Sequence, residues 1–247
     1  ELFKEYNIQD VVTEQIILKR LRDFRPDQSE QDLWTLDQEI NDRGVLLDIP
    51  MAGSIVEFDT ERSADLLAEA QQITGLKNPN SLAQLKPWLA DNGLATDTLR
   101  KDDVAAMLAD PSLHANVRRV LEIRQTLSKT SVKKYQTMLD IAGEDDRARG
   151  IMQFYGGHTG RWAGRSLQPQ NLARNTMPDD ELEVAREFVK MGDFESLEMI
   201  FGEPAPIFSQ LVRTAFIPSP GNRFIVSDFS AIEARVIAWI AGEEWRL

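Results

Sequence analysis

An apolar stripe runs at helical spacing from Leu113 through Val117, Val120, Leu121, Leu127, Val132, Tyr135, Met138 and Leu139 to about Ile141. A stripe of that length dictates the longest helix of the chain, opening at Ser112 and stopped by Gly143. Its other faces carry Arg118, Arg119, Arg124, Lys129, Lys133 and Lys134. Shorter periodic segments predict helices over 6–25, 33–43, 55–73, 82–92, 102–108, 179–200, 208–216 and 231–241. Asn78, Pro79, Asn80 and Ser81 form a turn and N-cap before the 82–92 helix, which Pro87 is expected to kink or divide. Strands are expected over 45–49 and 151–155, and a buried one over 223–228. Helices first and strands towards the end predict a mainly α chain with a small β part: a helical subdomain, then the start of an α+β subdomain.

The 42% of hydrophobic residues suffices for a packed core. The absence of cysteine excludes disulfides and thiolate metal sites and suits a reducing cytoplasm. No apolar run approaches the length of a membrane span, and no signal-peptide pattern opens the chain. A net charge of -12 speaks against nucleic acid, but its placement matters more than its total. Residues 111–175 hold eleven Lys and Arg against five Asp and Glu, a local +6, whereas 176–206 hold two against nine, a local -7. A basic segment inside an acidic protein suits a polyanion-binding face; an ordinary solvated helix face has the same composition. The chain opens on Glu1 and is expected to be a segment of a longer protein.

Two segments carry chemistry. In Phe224-Ile225-Val226-Ser227-Asp228-Phe229-Ser230-Ala231-Ile232-Glu233-Ala234-Arg235, an apolar strand delivers Asp228 at its end, and a helix bearing Glu233 and Arg235 follows. Mg²⁺ takes one or two carboxylates and completes its shell with phosphate and water, a role that a strand-end Asp suits. The same residue also suits a purely structural N-cap. The second segment runs His158-Thr159-Gly160-Arg161-Trp162-Ala163-Gly164-Arg165-Ser166-Leu167-Gln168-Pro169-Gln170-Asn171-Leu172. Arg and Gln donors can probe the acceptors that every base pair shows at nearly fixed minor-groove positions, checking pair geometry without reading sequence. A surface loop with incidental Arg and Gln is the alternative.

Both segments resemble family A DNA polymerases, the bacterial polymerase I-like group, in its phage and prophage version. Asp228-Phe229-Ser230-Ala231-Ile232-Glu233-Ala234-Arg235 is similar to motif A, with Phe229 and Ala231 as departures. The resemblance implies that Asp228 and the backbone carbonyl of Phe229 bind catalytic Mg²⁺, two ions in the complete enzyme, and that Glu233 sits beneath the incoming sugar. Thr159-Gly160-Arg161 and Gln170-Asn171 fall in the register of the family's T-G-R…Q-N segment, which implies DNA contact by Arg161, Gln170 and Asn171. The basic helix resembles the family's thumb helix, which implies phosphate contacts by Arg124, Lys129, Lys133 and Lys134. Asn80 and Ser81 match the thumb-tip turn, and Gly44-Val45-Leu46-Leu47-Asp48 the strand before the thumb. Tyr6 and Asp10 resemble the Tyr-x₃-Asp motif of a 3′–5′ exonuclease domain.

The implied domains are the end of an exonuclease-like domain at 1–30, a helical thumb with its base at 31–143, and a partial palm at 144–247. The palm would carry an acidic insertion at about 176–206. The implied function is template-directed nucleotidyl transfer in DNA replication or repair by a two-metal-ion mechanism. Primer–template DNA and deoxynucleoside triphosphates would be the partners, in a cytoplasmic setting with no membrane. The family's motifs B and C fall beyond motif A, so this segment alone is not expected to polymerise. The other class of reading is a non-catalytic DNA-binding module derived from a thumb and palm. Nothing in the sequence speaks to oligomeric state.

Overall fold

The computed structural model describes residues 2–127 and 131–243. It divides into two compact units, Glu1–Phe216 and Ile217–Leu247.

The first unit is built on a long helix. α1 spans Leu2–Arg20 and buries no residue. α2 spans Gln28–Arg43, its N-terminus capped by the Asp27 carboxylate, which accepts from the Glu30 N–H at 3.0 Å. Gly44 then turns the chain with φ +65°, and a Cβ there would meet the Ala148 carbonyl oxygen at 2.7 Å, so both conformation and space require glycine. The short strand β1, Val45–Leu46, pairs antiparallel with β2, Arg147–Ala148. Arg149, just past β2, donates twice to Asp145 in the turn before that strand, at 2.7 and 2.6 Å, and holds the carboxyl at about 2, below its ordinary value. α3 spans Ile49–Thr74 with Pro50 in its first turn, where a missing N–H costs nothing. The expected 45–49 strand is therefore two residues long, and the helix starts earlier than periodicity suggests. Asp48 is the reason: its carboxylate caps α3 through the Met51 N–H at 3.2 Å.

α3 runs past two apolar cores. Its first half places Met51, Ala52 and Ile55 in the larger one, against Tyr135 and Met138 of α7, Ser131–Ile141. Its far end brings Ile73 against a smaller core of Leu85, Leu89, Val104, Val117, Val120 and Leu121. That core unites α4 (Leu82–Asp91), α5 (Lys101–Leu108) and α6 (Ala115–Leu127). The single long helix expected from Ser112 is described as α6 and α7, on either side of residues 128–130. α4 continues through Pro87 rather than dividing. Pro87 and Ala83, whose carbonyl the missing N–H would have bonded, both lie on the exposed face.

The acidic stretch is part of the larger core, not an appendage to it. α8 (Asp179–Met191), α9 (Phe194–Phe201) and α10 (Pro204–Leu211) contribute Leu182, Ala185, Val189, Leu197, Ile207, Phe208 and Leu211. Phe58 stacks on Phe194 at 4.0 Å between ring centroids, and both meet Phe208 edge-on. Ser54 donates to the Val189 carbonyl at 2.7 Å, and Arg62 on α3 pairs with Glu198 and Glu203. Arg186 reaches the buried Asp48. The carboxylates thus fall on the outer faces of helices whose inner faces are apolar.

In the second unit, α11 spans Ile232–Ala241 as expected. The expected buried strand over 223–228 is absent: these residues join no ladder, and Ile225 and Val226 are 85% and 90% exposed. A strand exists through hydrogen bonds to a neighbour, and the described residues of this unit offer none. With two small antiparallel pairs in all, β1–β2 and the β3–β4 pair below, the described chain is mainly α with a small β part. No described helix is long and apolar enough to cross a membrane.

Candidate nucleic-acid interface

The loop that carries Arg161, Gln170 and Asn171 begins as a hairpin. β3, Met152–Gln153, pairs with β4, Ala163–Gly164. The hairpin is anchored to α2 by Asn41, whose side chain both donates to the Met152 carbonyl at 3.0 Å and accepts from its N–H at 3.1 Å. At the turn, Gly157 donates to the Arg161 carbonyl, and Trp162 packs edge-on against Phe154. The Arg161 side chain is exposed.

After β4 the chain folds back on the hairpin. The Arg165 N–H donates to the Ile151 carbonyl at 2.8 Å, and its guanidinium to the Gln153 side chain at 3.0 Å. Leu167 is fully buried and pins the loop into the larger core. Ser166 and Gln168, on either side of it, take left-handed backbone conformations. Pro169–Asn171 then form one turn of 3₁₀-helix, and the Asn171 amide donates to the Gln168 side chain at 3.0 Å. Gln170 is exposed, and its amide lies directly over Gly164 of β4, three residues beyond Arg161.

Two cations hold this loop in place. Lys134 of α7 donates to the Leu167 carbonyl at 2.9 Å. Arg213 donates to the carbonyls of Leu172 and Ala173 at 2.8 and 2.7 Å. Lys134 is therefore tied to the protein, while Lys133 beside it is exposed. Lys133, Lys134 and Thr137 of α7 share a hollow of about 470 Å³ with Asn171, Leu172 and Val212. The structure thus unites Lys133, Lys134, Gln170 and Asn171 around one loop.

The other predicted residues lie apart from that loop. Arg124 donates to the Asn80 carbonyl at 3.1 Å, which joins the basic helix to the 78–81 turn. Partial burial lowers its pKa from the ordinary arginine value. Ser81 stands at the N-cap of α4 but its side chain makes no capping bond; the turn is closed by Asn78, which accepts from the Asn80 N–H at 3.1 Å. Lys129 lies outside the described residues. Tyr6 and Asp10 are exposed on α1. Asp228, Phe229 and Glu233 belong to the second unit and are exposed. No group of three or more His, Asp or Glu side chains among the described residues could hold a metal ion.

Sequence reasoning missed Arg213 and Gly164. Arg213 is a lone basic residue in an apolar segment, and that contrast was its signal. Gly164 has no signal of its own, because only the fold reveals what lies over it.

No protein-family model matches the chain. It is 52% identical, over its whole length, to a DNA polymerase of Bacillus phage SP02, and it spans 38% of that protein's length. The chain is thus similar, over its whole length, to a segment of a phage DNA polymerase.

Proposed function

We propose that the chain forms the thumb and the first part of the palm of a family A DNA polymerase, and that it grips primer–template DNA. The observation that carries this reading is the loop 159–171. It carries Arg161, Gln170 and Asn171, Asn171 shares a hollow with Lys133, and the loop is clamped by Lys134 at Leu167 and by Arg213 just past Asn171. A clamped loop holds donors at fixed places, which probing the geometry of a base pair demands. Lys133 supplies a positive charge for the phosphate backbone, which positions a duplex without specifying its sequence.

In the complete polymerase, Asp228 and the Phe229 carbonyl would hold Mg²⁺ together with phosphate, water and other protein ligands. The metal supplies Lewis-acid stabilisation of the phosphoryl group and of the attacking and leaving oxygens. Glu233, on the first turn of α11, would lie beneath the sugar of an incoming deoxynucleoside triphosphate. The exposed 223–229 segment, which joins no sheet, keeps open a second reading, a DNA-binding module without catalysis. Asp228→Ala in the parent polymerase separates the two. The expected result is loss of synthesis, by several orders of magnitude, with primer–template affinity nearly unchanged. Synthesis at an undiminished rate would leave the module reading standing.

A further inference from the structure

We infer that Gly164 is the positioning residue for Gln170: the bare backbone of β4 is the seat on which the Gln170 amide rests. A Cβ at position 164 would come within 2.3 Å of the Gln170 Oε1 and 2.7 Å of its Nε2. It would also meet the Gln168 Cα at 2.7 Å. Real side chains do not approach so closely, so any residue larger than glycine must expel the amide from this place. Conformation is not what requires glycine here. Gly164 lies in the β3–β4 ladder, paired with Met152, and its φ is not positive. What requires glycine is space, as where backbone and a second group approach closely.

The consequence concerns orientation. Glutamine is among the side chains with most rotamer freedom to lose. An exposed Gln170 free to sample its rotamers would present its donor poorly. Gln170 makes no side-chain hydrogen bond among the described residues, so contact with β4 is what confines it. The seat itself is firm. Asn41 ties β3 to α2, and Arg165, the residue just past β4, is bonded to Ile151 and Gln153. The loop that carries Gln170 is pinned by Leu167 and by the Lys134 ammonium. Gly164 therefore acts through Gln170 and touches no DNA itself.

This inference rests on the proposed role of Gln170, and the test keeps the two apart. In the parent polymerase, extension rates are measured from matched and mismatched primer ends for Gly164→Ala, Gln170→Ala and the double variant. Both single variants are expected to narrow the matched-to-mismatched ratio by roughly tenfold, the loss of one hydrogen bond. The double variant should narrow it no further, because Gly164 has nothing left to position. A narrowed ratio in Gln170→Ala with an unchanged ratio in Gly164→Ala, or narrowing factors that multiply in the double variant, overturns the inference. An unchanged ratio in Gln170→Ala overturns the role of Gln170 instead. In that case the contact is judged by thermal melting of the chain. The strain at Gln168 is present in both backgrounds and cancels in the cycle. Gly164→Ala should then cost more stability with Gln170 present than in the Gln170→Ala background, and equal costs overturn the seat.

Discussion

Asp48 carries two duties with one carboxylate. It caps α3 through the Met51 N–H and receives Arg186 from α8, while its side chain is only 6% exposed. A buried carboxylate left without its cation costs far more than a surface ion pair contributes. Arg186→Ala is therefore expected to lower the unfolding free energy by about 3–5 kcal/mol. Urea denaturation of the two proteins checks this; a loss below about 1 kcal/mol is the surface-pair value and would show that solvent reaches Asp48. Asp48 was legible as the end of a Gly-hydrophobic-Asp strand. Its partner was not, because 138 residues separate the two and nothing local marks Arg186 among the acidic residues of α8.

At the scale of elements, helices were the most legible feature, because a 3.6-residue period is written within a few turns. α4, α5 and α11 lie close to where periodicity puts them, whereas α2 and α3 end where expected but start earlier. Pro87 illustrates the limit. An interior proline argues for a break, yet α4 passes through it with Leu85 and Leu89 buried on one side and Pro87 exposed on the other. Packing of those leucines outweighs the one lost backbone bond. Pro87→Ala restores that bond to the Ala83 carbonyl and is expected to raise stability by about 1–3 kcal/mol. An unchanged or lower melting temperature would mean that the stiffness proline gives the unfolded chain outweighs the bond. The strand expected at 223–228 failed for the opposite reason. β-structure depends on a partner, which no local pattern supplies.

For the whole molecule, the question is how a protein of net charge -12 could hold a polyanion. The fold turns the carboxylates of α8 and α9 outward from the larger core, and the basic residues gather on α7 and the 159–171 loop. Lys133 and Arg161 are exposed, whereas Lys134 is bonded to Leu167. Lys133→Ala and Arg161→Ala should each weaken duplex binding and reduce the slope of log K against log salt by about 1. Lys134→Ala should instead lower the melting temperature. Fluorescence anisotropy at several salt concentrations, beside melting curves, tests this division; an unchanged slope in both Lys133→Ala and Arg161→Ala would remove this face as the phosphate site. By itself the sequence determined the helical character, most element positions, the spacing from Thr159 to Asn171 and the concentration of basic charge. These are properties of residues close together along the chain, expressed through backbone period, turn chemistry and fixed motif spacing. Only the tertiary structure decided that residues 176–206 complete the core, that Lys134 and Arg213 hold a loop, and that Gly164 lies beneath Gln170. Each of these depends on which surfaces meet when apolar area is buried, and that choice is made by the whole chain at once.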